Sequence, residues 1–179
     1  AWKANLLCAV MAAAAAANIS AAAMMLSSSP RVGLAPSLIR GASWPVRAVG
    51  AASGGLLYAF SPLVWTYAVG SEVFSMNNFF ASAVVLLTVA YASEPTDRGR
   101  ARVAKLGALV CGLGMCNQHT LILYELPLVA WILWSLHSSG DGKGGSGLSV
   151  SRFVGLACAF LLGLLPYVYL PIASTLFPK

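Results

Sequence analysis

Apolar residues in this chain come in runs too long for the core of an ordinary soluble domain, and short polar stretches divide them. A helix crossing the hydrocarbon of a bilayer needs roughly 20 apolar residues. The first run, residues 6–26, meets that length. Its Met11–Ala17 stretch is alanine-rich, and alanine is both the best helix former and small enough to let helices approach closely. Residues 27–47 form a connector with Pro30, Pro36, Pro45 and three arginines. The second run, 48–69, contains Gly50, Gly54, Gly55 and Pro62. Proline has no N–H and crowds the preceding turn, so a bend is expected at Pro62. Trp65 and Tyr67 sit near the end of this run, where interfacial aromatics belong. A turn, Gly70-Ser71-Glu72, leads into a third run, 74–91.

A charged loop, Glu94–Lys105, precedes an apolar stretch from Val103 to Leu136 that carries Asn117-Gln118-His119-Thr120 in its middle. This stretch is too long for one untilted crossing. Two short helices, 103–116 and 121–136, meeting at the polar tetrad are expected; a single strongly tilted helix is the alternative. Residues 137–149 are a Gly/Ser-rich, flexible loop. Its Gly-Asp-Gly-Lys-Gly-Gly lacks the spacing of a phosphate-binding loop and follows no strand. A last run, 153–171, closes on Pro166-Tyr-Val-Tyr-Leu-Pro171, an interfacial exit. The pattern predicts an all-α integral membrane protein with about six transmembrane or partly spanning helices, in one transmembrane domain over 1–179.

Composition agrees. The chain is 59% hydrophobic and 9% charged, with a mean hydropathy of +0.79, where a soluble domain carries about 25% charge. The net charge of +6 does not indicate nucleic acid, because no basic run is interleaved with aromatics. It follows the connectors instead. With the spans above, the loops at 28–47, 93–105 and 137–152 share one side and hold nine of the eleven Lys and Arg residues; only Lys3 and Lys179 lie opposite. That is a positive-inside distribution. A single crossing over 103–136 would weaken it to seven against four. The two-helix reading therefore puts Glu72, Asn117–Thr120, Tyr167 and Tyr169 together on the non-cytoplasmic side.

Polar groups at membrane depth cost about 2.5 to 3.5 kcal/mol each for the charged residues, so those retained there are candidates for function. Glu72 can cap the following helix, accept a hydrogen bond from a substrate hydroxyl, or serve as a base. Asn117, Gln118 and His119 bring several donors to one point. At a helix junction they can hold a phosphate or sugar, or satisfy the broken backbone. Asn77 and Asn78 read as interhelical hydrogen bonds, and Glu125 as an interior polar contact or an edge group. Asn18-Ile19-Ser20 spells a glycosylation sequon but lies mid-span, out of a transferase's reach. The four cysteines have neither metal-site nor redox spacing. No catalytic triad, metalloprotease motif or metal-ligand pattern is present, and no cofactor or metal is expected.

Three blocks carry a family resemblance: Trp65 with Ser71-Glu72-Val-Phe-Ser-Met-Asn77-Asn78; Lys105 to Tyr124 around Cys116-Asn117-Gln118-His119-Thr120; and Gly163-Leu-Leu-Pro166-Tyr167-Val-Tyr169-Leu-Pro171-Ile172. Together, over residues 1–175, they resemble the transmembrane protein 260 type of protein O-mannosyltransferase. The resemblance implies a helical bundle of the GT-C glycosyltransferase type in the endoplasmic reticulum membrane. It implies a dolichyl-phosphate-linked mannose donor and a Ser/Thr acceptor protein of the secretory pathway. Glu72, Asn117, Gln118 and His119 would then be substrate-binding residues on the luminal side. In such enzymes the base is an acidic residue of the first luminal loop. The family's Gly-Asp-Ser-Gly-Glu-like and His-Pro-Pro-Gly-Tyr-Pro blocks do not occur here, so the catalytic carboxylate is expected upstream of Ala1 and the chain is expected to be an internal piece of a longer protein. Glu125 falls outside the family pattern. Two other classes stay open: a transporter or channel, which needs a polar path on to the cytoplasmic side, and a non-catalytic truncated relic.

Overall fold

A computed structural model describes residues 2–29, 41–70, 73–138 and 149–176. Among these, all regular structure is helical: α1 Trp2–Ser28, α2 Trp44–Ala59, α3 Pro62–Val69, α4 Val73–Ser93, α5 Asp97–Asn117, α6 Ile122–Ser138, α7 Val150–Gly163 and α8 Pro166–Leu176. A 3-10 turn, His119–Leu121, runs directly into α6. Three helical units are long and apolar enough to cross a membrane: α1, α4 and the 20-residue unit His119–Ser138. The bent pairs α2–α3 and α7–α8 raise the number to five if each counts as one crossing. The α-helical membrane bundle expected from the sequence is what the chain forms. α5 is also 21 residues long, but its first nine include Asp97, Arg98, Arg100, Arg102 and Lys105, so its apolar part is short.

Small residues set the helix contacts. α1 buries Ala12, Ala15, Ala16 and Ala22 and packs on both α2 and α4. A side chain at Gly55 of α2 would collide with Ser20 Oγ and the Ala16 carbonyl of α1. α4 packs on α5, and α5 on α7. That last contact is backbone on backbone: a Cβ at Gly112 would strike the Phe160 carbonyl and Gly163, and one at Gly163 would strike the Leu109 carbonyl and Gly112. Close approach through small residues replaces the hydrophobic drive that lipid removes between helices. One polar bond joins α1 to α4, from Asn18 Nδ2 to Ser82 Oγ at 3.2 Å. The sequon asparagine is thus used inside the bundle. Large side chains such as Leu57, Leu123 and Trp134 face outward, as lipid or further protein would require.

Three breaks interrupt the helices. The first, at Phe60–Ser61, bends α3 away from α2 by 63° just before Pro62. The second, at Gln118, separates α5 from His119–Ser138. Here the extended backbone of Gln118 (φ −152°, ψ 118°) ends α5. The third turns α8 from α7 by 42°. The segment after Pro166 differs from the expected interfacial exit: it is helical. Proline in the first turn costs no hydrogen bond and its fixed φ suits a helix start. α5 also begins earlier than the apolar pattern suggests. The Thr96 side chain accepts from the Gly99 N–H at 3.0 Å, and Arg100 pairs with Asp97 one turn away, so charged sequence becomes helical.

Candidate functional site

The tetrad lies where three elements end together. Asn117 closes α5, and its Nδ2 donates to the Val73 carbonyl at the start of α4 over 3.4 Å. One turn down, a Cβ at Gly114 would meet Phe80 Cβ of α4. Asn77, three residues before Phe80, therefore stands level with Asn117 and Gln118, three and four residues after Gly114. The Oδ1 of Asn77 and the Oε1 of Gln118 are both buried, and neither has a hydrogen-bond partner. Asn77 thus lacks, through that oxygen, the interhelical bond expected of it. Two unused acceptors at one level of a bundle are open to a ligand's donors or an ordered water.

His119 is exposed and opens the 3-10 turn. Its Nε2 is 2.6 Å from the hydroxyl of Tyr167, which stands in the first turn of α8. The same hydroxyl donates to the Met115 carbonyl at 3.0 Å. A phenol has one proton. With that proton on Met115, Nε2 must carry the imidazole proton and donate to the Tyr167 oxygen. Nδ1 is then the nitrogen left over, an acceptor in the neutral ring and a donor in the cation. Cys116 adds a thiol contact to the Gly163 carbonyl at the third break, 3.6 Å away. The close Gly112–Gly163 crossing is what brings α7, and so Tyr167, within reach of α5.

Of the residues expected at the site, Asn117, Gln118 and His119 come together. Glu72 lies outside the described residues, one position before Val73. Tyr167 was read from sequence only as an interfacial aromatic. The signal that could have found it was the charge count, which already put Tyr167 and His119 on one side. Glu125 stands about one turn below the tetrad, in the first turn of α6: it is 4% exposed, its Oε1 is 3.4 Å from where a Cβ on Gly114 would lie, and it faces Cys111 of α5.

The arrangement offers an imidazole fixed in orientation by a phenol, amide donors, and two free amide oxygens. Donors of this kind suit a phosphate, and the acceptors suit hydroxyls.

A family model described as the protein O-mannosyl-transferase TMEM260 N-terminal domain matches residues 1–140. The mouse (Mus musculus) protein O-mannosyl-transferase TMEM260 is 36% identical over 176 residues, which is 98% of this chain and 22% of the mouse protein. A Dictyostelium discoideum protein O-mannosyl-transferase tmem260 is 33% identical over 129 residues, 67% of this chain and 15% of that protein. No solved structure matches the chain. The chain thus spans well under a third of the length of either relative. An α-helical membrane bundle, with a family model covering both sides of the Gln118 break and a relative aligned along nearly all of it, belongs to the TMEM260 family of protein O-mannosyl-transferases.

Proposed function

We propose that this chain forms part of the donor-binding region of a membrane protein O-mannosyltransferase. The enzyme takes mannose from a dolichyl-phosphate carrier and passes it to Ser or Thr hydroxyls of secretory-pathway proteins. The face carrying His119 is the luminal face of the endoplasmic reticulum membrane. The observation that carries this reading is the polar surplus at the Gln118 break: a phenol-oriented imidazole beside amide groups whose oxygens are unused.

In this reading His119 and Asn117 contact the phosphate of the donor, where charge builds as the mannosyl carbon separates from it. Stabilising that charge with oriented donors lowers the barrier. Gln118 and Asn77 offer acceptors for sugar hydroxyls. Glu72, adjacent in sequence to the start of α4, belongs with them as a substrate contact. Inverting transfer also needs a carboxylate to take the proton of the attacking hydroxyl. The described residues of this end supply amides, an imidazole and a phenol, and they are assigned to donor binding rather than to that step. The one-sided clustering of polar groups supports a transferase over a channel, which needs a continuous polar path.

The test uses the full-length protein in microsomes, with dolichyl-phosphate mannose and a Ser/Thr-containing acceptor. Asn117→Ala and Gln118→Ala are expected to lower mannosyl transfer about three- to tenfold each, the loss of roughly one hydrogen bond. Absence of transfer by the unaltered protein, or transfer by both variants equal to that of the unaltered protein at matched abundance, overturns the reading.

A further inference from the structure

Below the tetrad, α4, α5, α6 and α7 line a partly open cavity of about 240 Å³. Nearly every residue around it is apolar, from Val84 at one level to Phe153 at another. Two polar groups in its wall do not fit that description. Glu125 is 4% exposed, and its Oε1 has no hydrogen-bond partner. Tyr91 is 2% exposed, and its hydroxyl has none either. Thr88 does not serve them: its hydroxyl donates to the Val84 carbonyl at 2.8 Å, and neither Tyr91 nor Glu125 Oε1 is bonded to it. The Cys111 thiol lies within hydrogen-bonding reach of the Glu125 carboxyl, but a thiol is a weak partner. Buried polar groups without partners are costly, and ionisable ones inside a membrane protein mark function more often than accident.

The two groups sit at opposite ends. Glu125 stands between Cys111 and Gly114 of α5, at the end nearer the tetrad. Tyr91 packs with Ala104 and Leu136 at the other end. Val84 to Tyr91 is seven residues of helix, or about 10 Å. An apolar cavity of about 150 Å³ holds a benzene ring, so the space between these walls, which is partly open, takes roughly ten non-hydrogen atoms of a ligand. That volume drawn out over that length describes a chain rather than a fused ring.

We propose that the four-helix cavity binds a hydroxyl-bearing aliphatic molecule of about eight to ten carbons, or the matching segment of a larger lipid alcohol, with its hydroxyl on Glu125. A hydroxyl needs one acceptor and one donor, and a carboxyl group can supply both. An ammonium head fits less well: it brings three N–H donors and a charge into a wall that is almost wholly apolar and holds one carboxyl group. Water fits less well again, because a stable buried water takes two to four polar partners, and here they stand a cavity's length apart. The proposal does not depend on the transferase reading, since it rests on the cavity wall and Glu125 and not on the tetrad residues.

The test uses the full-length protein in lipid nanodiscs and two photoreactive diazirine probes of about eight carbons, one a primary alcohol and one the matching hydrocarbon. Peptide mapping by mass spectrometry is expected to find the alcohol on α4 and α6, displaced by 1-octanol. Glu125→Met should cut that labelling about fivefold, the loss of one hydrogen bond. Glu125→Gln should retain most of it. Ala157→Phe fills the cavity from the α7 wall and leaves the carboxyl in place, so it should cut labelling equally and keep the proposal testable if Glu125→Met fails to fold. Equal labelling by alcohol and hydrocarbon, insensitivity to Ala157→Phe, or no labelling of these helices in the unaltered protein, as water-filled space would give, each overturns it.

Discussion

The chain breaks a helix at Phe60–Ser61 and again at Gln118, and the two breaks spend their polar groups differently. At the first, the hydroxyl side chains are taken up by backbone carbonyls of their own turns. Ser61 Oγ donates to the Tyr58 carbonyl at 2.9 Å, and Thr66 Oγ1 donates to the Pro62 carbonyl at 2.8 Å. Phe60 and Trp65 stack across the bend with ring centroids 5.5 Å apart. Backbone bonds close both breaks, Phe60 N–H to the Leu56 carbonyl and Trp65 N–H to the Ser61 carbonyl at the first, Gln118 N–H to the Gly114 carbonyl and Leu121 N–H to the Gln118 carbonyl at the second. At the second, the side chains are left over. Gln118 keeps an unused buried oxygen, and His119 stays exposed and held by Tyr167 from another helix. A proline bend needs only its carbonyls satisfied. A polar tetrad with spare capacity, beside a break that already closes itself, has no such structural explanation.

The contrast can be broken most severely through the glycine crossing that holds the second break together. Gly163→Leu puts a branched side chain into the backbone of α5 and should cost more than the ~1–3 kcal/mol of ordinary overpacking. The folded protein should fall several-fold in a detergent-extracted, size-exclusion assay, whereas Gly54→Leu, where nothing lies within 4 Å of a Cβ, should not change it. Next in size, Tyr167→Phe removes one hydroxyl and leaves His119 free to rotate. Mannosyl transfer by the full-length protein should drop about three- to tenfold, the worth of roughly one hydrogen bond, with its thermal midpoint almost unchanged. At the first break, Ser61→Ala should do the reverse, lowering stability by ~0.5–1.5 kcal/mol with transfer unaltered once abundance is matched. The smallest effect belongs to Asn18→Ala, which loses the bond to Ser82. Interhelical bonds of this kind average ~0.6 kcal/mol, so unfolding in a denaturing detergent should shift only slightly.

Much of this architecture was legible in the sequence because membrane helices announce themselves by length and hydropathy. Pro62 marked the first bend, and the arithmetic of 34 apolar residues marked the second. The start of α5 was not legible, because Thr96 and the Asp97–Arg100 pair make a helix out of residues that look like a loop. Nor was α8, since Pro166 reads as an ending until it is seen in a helix's first turn. At the site, residue type and charge side singled out Asn117, Gln118 and His119. The Tyr167 contact crosses 48 residues of chain and follows from the meeting of Gly112 with Gly163, which local pattern does not report. Asn77 was assigned to packing because most membrane asparagines pack; only its orphaned oxygen separates it from them. For Glu125, an interior polar contact or an edge group by sequence, the burial that decides for the interior depends on four helices packing around it.

The difference between the breaks comes down to His119. Mannosyl transfer from dolichyl-phosphate mannose should be measured for the full-length protein carrying His119→Ala, beside Ser61→Ala at equal membrane abundance. Loss of a hydrogen bond to a charged phosphate is worth about 1.5–3 kcal/mol, so His119→Ala should slow transfer roughly ten- to a hundredfold while Ser61→Ala stays near the unaltered rate. Equal rates for the two variants would place the Gln118 break in the same structural role as the proline bend and remove His119 from the site.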